Sequence, residues 1–176
     1  MSQFMFNRHS SLDGKHAFLS ASKYSWLNYS DEKIIESYIN AKRIMEGTRL
    51  HALAAELIMM KVKLPKTKAT LNMYVNDCIG FHMKPEQLLF YSDKCFGTAD
   101  AISFNKKKLR IFDLKTGTHK ASPNQLCIYA ALFCLEYKKD PKDIDIELRI
   151  YQNNEVSVIE PSYEFIQEIM DKIRRF

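Results

Sequence analysis

Three side chains in this sequence have the types and spacing to act together: Asp100, Asp113 and Lys115. They fall in two short apolar runs, residues 95–104 and 109–115, separated by the polar turn Asn105-Lys106-Lys107-Lys108. Two such runs around a polar turn predict a β-hairpin. A loop centred on Lys106 and Lys107 sets Phe104 opposite Leu109, Ile102 opposite Ile111 and Asp100 opposite Asp113. The apolar pairs match, which favours this register over a one-residue slip. Side chains directly opposed on antiparallel strands have Cβ atoms roughly 4.5–5.5 Å apart, so the two carboxylates repel unless a cation or a shared proton compensates. Lys115 lies two residues beyond Asp113 and projects from the same face. Two acids and an amine at a strand end point to a site for a hard divalent cation. The plain alternative is a charged solvent face, the commoner origin of an isolated Asp-x-Lys. Against it, both acids share a face with Phe96, Ile102, Phe104, Leu109 and Ile111, which reads as buried, and a buried acid needs a partner. The other face of the first strand, Gly97, Ala99, Ala101 and Ser103, is small enough for a helix to pack closely.

The elements that must position these residues follow from local signals. Ser20 and Ser22 read as caps of a short helix through Trp26 and Leu27. Ser30 followed by Asp31 and Glu32 predicts a helix start, with Ile34, Ile35, Tyr38 and Ile39 as its apolar stripe. A second helix is expected over residues 48–60, with Gly47 as a bend or close approach. Another is expected over residues 71–81, and a strand over residues 88–92. Ser122-Pro123 predicts a helix running to about Tyr137. Residues 144–151 and 155–160 predict a second hairpin, and Ser162 a final helix. The order implies an α/β fold, a mixed central β-sheet flanked by α-helices, as one domain over residues 1–176.

With 46% apolar and 27% charged residues, the 176-residue chain has the composition of a soluble globular protein. It has no apolar run long enough for a membrane span and no signal-peptide core, so the expectation is a cytoplasmic protein with no membrane partner. Net charge is +5, which permits a polyanionic partner without requiring one. Cys78, Cys95, Cys127 and Cys134 contain no C-x-x-C, so a zinc ribbon is not expected and reduced thiols are.

Four segments occur in order: Gly47-Thr48-Arg49-Leu50-His51, Gly97-Thr98-Ala99-Asp100, Asp113-Leu114-Lys115-Thr116-Gly117, and Gln125-Leu126-Cys127-Ile128-Tyr129. Together they resemble the PD-(D/E)xK nuclease superfamily, in particular its RecB/Cas4-like branch with the phage-type exonucleases. The resemblance spans residues 47–129 and implies a restriction-endonuclease-like core. It implies His51, Asp100 and Asp113 as metal ligands, with the backbone carbonyl of Leu114 as a further one. Lys115 would position or activate the attacking water, and Gln125 and Tyr129 would help position nucleic acid. The implied cofactor is Mg²⁺ or Mn²⁺, one or two ions, and oxygen donors with one imidazole suit both. The implied partners are DNA and a recombination or replication protein, in a host cytoplasm if the chain is phage-encoded. The implied activity is a metal-dependent deoxyribonuclease, foremost an exonuclease. The competing expectation is a non-catalytic nucleic-acid-binding or regulatory subunit. An iron–sulfur cluster, carried by some members of that branch, is not expected, because Cys127 and Cys134 fall within or just after the Gln125–Tyr129 helix. Taken alone, His51 would more often be a hydrogen-bonded structural histidine than a ligand. His119 and Lys120 read as a solvated loop. Glu56 sits five residues beyond His51, about 140° around a helix, and is left out.

Overall fold

The computed structural model describes residues 10–12 and 14–176. Four α-helices and five strands follow in chain order: α1 (Asp31–Met60), α2 (Thr70–Gly80), β1 (Lys84–Ser92), β2 (Cys95–Asn105), β3 (Lys108–Leu114), α3 (Asn124–Glu136), β4 (Asp145–Gln152), β5 (Glu155–Ile159) and α4 (Tyr163–Ile173). The strands form one open sheet in the order β1-β2-β3-β4-β5. Only β3 and β4 are parallel, and the crossover between them is α3. The fold is therefore α/β with a mixed sheet and flanking helices.

Contacts cluster into two compact units, one up to Glu46 and one from Gly47 to Phe176. In the first, 3-10 turns at Ser10–Leu12 and Ala21–Asn28 precede the start of α1. The Trp26 indole donates to the Ser20 carbonyl, and Ser30 Oγ accepts from Lys33 N–H as the expected cap. The rings of Phe18 and Tyr38 meet edge to face.

In the second unit, apolar alternation along β3 separates two cores. Leu109 and Ile111 pack with α3 and α4, through Leu126, Ala130, Phe133, Ile166 and Met170. Phe112 and Leu114 pack on the other face with α1 and α2, through Ala54, Ile58, Tyr74 and Cys78. α3 is apolar on nearly every side and accordingly has seven buried residues. The β2–β3 and β4–β5 hairpins turn on consecutive left-handed residues, Lys106-Lys107 and Asn153-Asn154, the type I′ geometry that matches strand twist.

Several expectations are corrected in detail. Residues 31–60 form one helix rather than two, continuous through Gly47. β1 begins at Lys84 rather than 88. It lies at the sheet edge, where a proline such as Pro85 is tolerated. The residue before α3 is Pro123, whose dihedrals are already helical, while Ser122 Oγ accepts from Asn124 N–H. Ser162 caps α4 through Phe165 N–H as expected.

Candidate functional site

The β2–β3 register is the one the apolar pairs demand: Phe104 opposite Leu109, Ile102 opposite Ile111, Ala101 opposite Phe112. The ladder ends there, one position before Asp100 and Asp113. β3 continues on its other side, pairing Leu114 with Tyr151, and Lys115 N–H donates to the Tyr151 carbonyl at 2.9 Å. The strands thus part at the site. The Leu114 N–H, released from β2, donates to Asp100 Oδ2 at 3.0 Å.

The parting is accompanied by a break in side-chain alternation. Ala99 and Ile102 both pack in the α3 core, whereas Ala101 packs in the α1–α2 core. Strict alternation would put Ala99 with Ala101. The shared face expected for Asp100, Asp113 and Phe96 therefore does not hold across the whole strand. Phe96 is 60% exposed, and Asp100 meets α1, with Oδ2 at 3.3 Å from His51 Nδ1. α1 comes this close because Gly47 lacks a side chain: a Cβ there would stand 2.9 Å from Thr116 Oγ1.

Asp113 is tied instead to α3. Its side chain is buried, the residue only 2% exposed, and Oδ2 lies 3.1 Å from the Lys115 ammonium. That contact is an ion pair without hydrogen-bond alignment, so the oxygen is left without a hydrogen-bond partner. Lys115 Nζ donates to Gln125 Oε1 at 2.9 Å, and Gln125 Nε2 donates to the Tyr129 hydroxyl at 3.0 Å. Gln125 and Tyr129 share a face of α3, and the Tyr129 ring lies on Gly97, where a Cβ would come within 2.9 Å of it. Gly97 is thus what lets α3 approach β2. The loop after β3 is held by Gln152, which donates to the Gly117 and His119 carbonyls and accepts from Ala121 N–H. His119 and Lys120 are exposed on that loop.

All of the expected residues gather at one end of the hairpin, as two linked groups: His51–Asp100–Leu114, and Asp113–Lys115–Gln125–Tyr129. Negative charge is in excess there. Burial, followed by the charge of Asp100, pushes the Asp113 carboxyl above its ordinary range, although Lys115 opposes this. The hydrogen bond to Asp100 holds the His51 imidazole above its ordinary range, with the charges of Asp100, Asp113 and Glu86 adding to it.

Glu86 was not foreseen. Pro85 pairs with Ala101 and Gln87 with Ala99, which places Glu86 directly opposite Asp100. Its φ of 49° is left-handed, a strained value for a non-glycine strand residue. Burial, and then the charge of Asp100, raises its carboxyl as well. The signal that could have found it is the strand start, obscured in sequence by Pro85.

The donor chemistry at this end fits a hard divalent cation: carboxylates in repulsion, one of them with a buried oxygen lacking a hydrogen bond, and an imidazole beside them. As they stand, these side chains hold one another. Among the described residues no three His, Cys, Asp or Glu are gathered into a metal-binding group. The physical reason is that Asp100 is turned onto His51 and Leu114 while Asp113 is turned onto Lys115. The cysteines lie apart, Cys78 in the α1–α2 core and Cys127 and Cys134 in the α3 core, on opposite faces of the sheet. No helix among the described residues is long and apolar enough to cross a membrane. No family model, no curated protein and no solved structure matches this chain.

Proposed function

We propose that this chain is a divalent-cation-dependent deoxyribonuclease, an exonuclease acting at DNA ends in recombination, replication or repair, built on a restriction-endonuclease-like core. The observation that carries the reading is the Lys115 ammonium, held between Asp113 at 3.1 Å and Gln125 at 2.9 Å, next to the Asp100–His51 pair. Four segments distant in sequence supply those groups, and each has the residue type that phosphodiester hydrolysis requires.

Asp113, Asp100 and His51, with the Leu114 carbonyl, would hold Mg²⁺ or Mn²⁺. Such a cation acidifies a bound water and stabilises charge on a phosphoryl oxygen. Lys115 has three N–H donors, and Asp113 and Gln125 engage two directions of its ammonium. A donor not given to Gln125 can hold a water or a phosphate oxygen in line. Gln125 fixes the ammonium by its carbonyl and is itself fixed by Tyr129, so substrate contacts on α3 and the amine move as one unit. DNA is the partner this reading requires. A recombination or replication protein is a second proposed partner, and a host cytoplasm the proposed setting.

The test is digestion of end-labelled linear and closed circular DNA with Mg²⁺ and with Mn²⁺. The expected result is metal-dependent loss of linear DNA with circles spared, abolished by Asp113→Ala and by Lys115→Ala in folded protein. Equal cleavage by wild type and both variants would refute the assignment. One observation favours the second reading, a non-catalytic nucleic-acid-binding subunit: Asp100 and Asp113 are engaged by protein partners rather than gathered as ligands. DNA binding in EDTA, with no cleavage under any metal, would establish it.

A further inference from the structure

At the opposite end of the hairpin from Asp100 and Asp113 lies a cavity of about 640 Å³, where β2 runs past the start of β1. Phe104 is four residues from Asp100, about 13 Å along an extended strand. The cavity is thus separate from the residues discussed above. Its volume falls in the range of small-molecule sites, roughly 300–1,000 Å³.

Its lining has two parts. One wall is aromatic: Phe104 and Phe133 have ring centroids 5.1 Å apart, Phe133 and Tyr137 4.8 Å. Phe104 and Tyr137 each leave over a third of their surface exposed there. Lys84, Arg110 and the His82 imidazole also line the cavity, and no Asp or Glu does. Among the described residues the Lys84 ammonium and the His82 imidazole have no side-chain partner. Arg110 is stacked on Phe81, 4.6 Å from the ring centroid, and its Nε is buried without a hydrogen-bond partner, the Glu147 carboxylate lying 3.7 Å away. Arg110 and Arg149 are matched by acids, Arg110 by Glu147 and Arg149 by both Asp77 and Glu147. An unmatched ammonium at a cavity with exposed aromatic rings calls for a ligand with a flat apolar part and an anionic part.

We propose that this cavity binds a nucleotide unit, its base against the exposed rings of Phe104 and Tyr137 and its phosphate on Lys84. Stacking on aromatic faces with cations along a backbone is how single strands are held without sequence readout. The site needs no hydrolysis and does not depend on the nuclease reading. The unit could be a free nucleoside monophosphate or one residue of a DNA strand, and the two are separable.

The experiment is a ¹H–¹⁵N NMR titration of the full chain in EDTA, with dAMP, with inorganic phosphate and with a short oligothymidylate. Expected is saturable perturbation of the Lys84, Phe104 and Tyr137 amides by dAMP, with affinity near the roughly millimolar range of a single fragment. The oligothymidylate binding more tightly at the same amides assigns the site to a strand; equal affinity assigns it to free nucleotide. Tyr137→Ala, at an exposed ring, should weaken binding roughly tenfold, as loss of one stacking partner does. Lys84→Glu should weaken it further, and the spectra themselves show that both variants are folded. Asp113→Ala should bind as wild type does, so loss of hydrolysis and loss of this site are independent results. No perturbation by dAMP or the oligomer, perturbation by phosphate alone to the same extent, or binding unchanged in both variants would each overturn the proposal.

Discussion

Two clusters of charge sit on the same sheet and differ in their balance. Around β3 and β4, Glu147 is buried among three cations: Lys108 at 2.8 Å, Arg110 at 3.7 Å and Arg149 at 2.7 Å. Arg149 also pairs with Asp77, to which the Tyr151 hydroxyl donates, and it lies against the rings of Phe81 and Phe112. Burial alone would raise the Glu147 carboxyl, yet Lys108 and Arg149 bring it below its ordinary range. At the candidate site Asp113 is equally buried, and burial together with Asp100 leaves its carboxyl raised. The first cluster is complete within the protein. The second has surplus negative charge, the condition that a bound cation would relieve.

The largest break in this contrast is expected from Glu147→Ala. It strands Lys108 and Arg110 and halves the pairing of Arg149, so the loss should be about 3–5 kcal/mol, read by urea denaturation. Next comes Gly97→Val. The new side chain meets the Tyr129 ring, and overpacking of this kind costs about 1–3 kcal/mol. The same measurement should show the loss.

Asp113→Asn is expected to move stability the other way, up by about 0.5–2 kcal/mol. The sign follows from the raised carboxyl. A folded-state pKa above the ordinary 3.8 means that ionised Asp113 destabilises the fold at neutral pH. The penalty is relieved as pH falls through the raised value. The advantage of Asp113→Asn should therefore be greatest near neutrality and shrink on acidification. Glu147 has the opposite sign: its stabilisation is present above the ordinary 4.5 and lost as pH falls through its lowered value. Denaturation curves across the acid range separate the two, and an Asp113→Asn variant less stable than wild type at neutral pH would contradict the charge imbalance. The smallest effect is expected at Glu86→Gly, where relief of the left-handed backbone contributes roughly 1 kcal/mol or less of stability, offset by the flexibility glycine adds to the unfolded chain.

How much of this was legible in sequence depended on the range of the forces involved. The β2–β3 register could be read because Ile102 and Ile111 must pair on a buried face, and the turn residues agreed with it. The cap at Ser162 and the apolar character of α3 are equally local. Phe96 was misread because alternation was carried through a strand whose phase changes near Asp100. The break near Gly47 was misread because a lone glycine weakens a helix without ending it, and the reason for the glycine is Thr116, which lies 69 positions further on. Glu86 was hidden by a proline that only an edge strand accepts.

From its residues alone the chain determined which side chains are able to do chemistry and which elements carry them, since strand period, turn type and helix capping act over a few positions. Tertiary structure decided which of those side chains meet. It turned Asp100 onto α1 and Asp113 onto α3, placed Glu86 across from Asp100, and surrounded Glu147 with cations drawn from two strands. Charge and burial act through space, so the balance that separates the candidate site from the structural network exists only once the sheet has brought distant residues together.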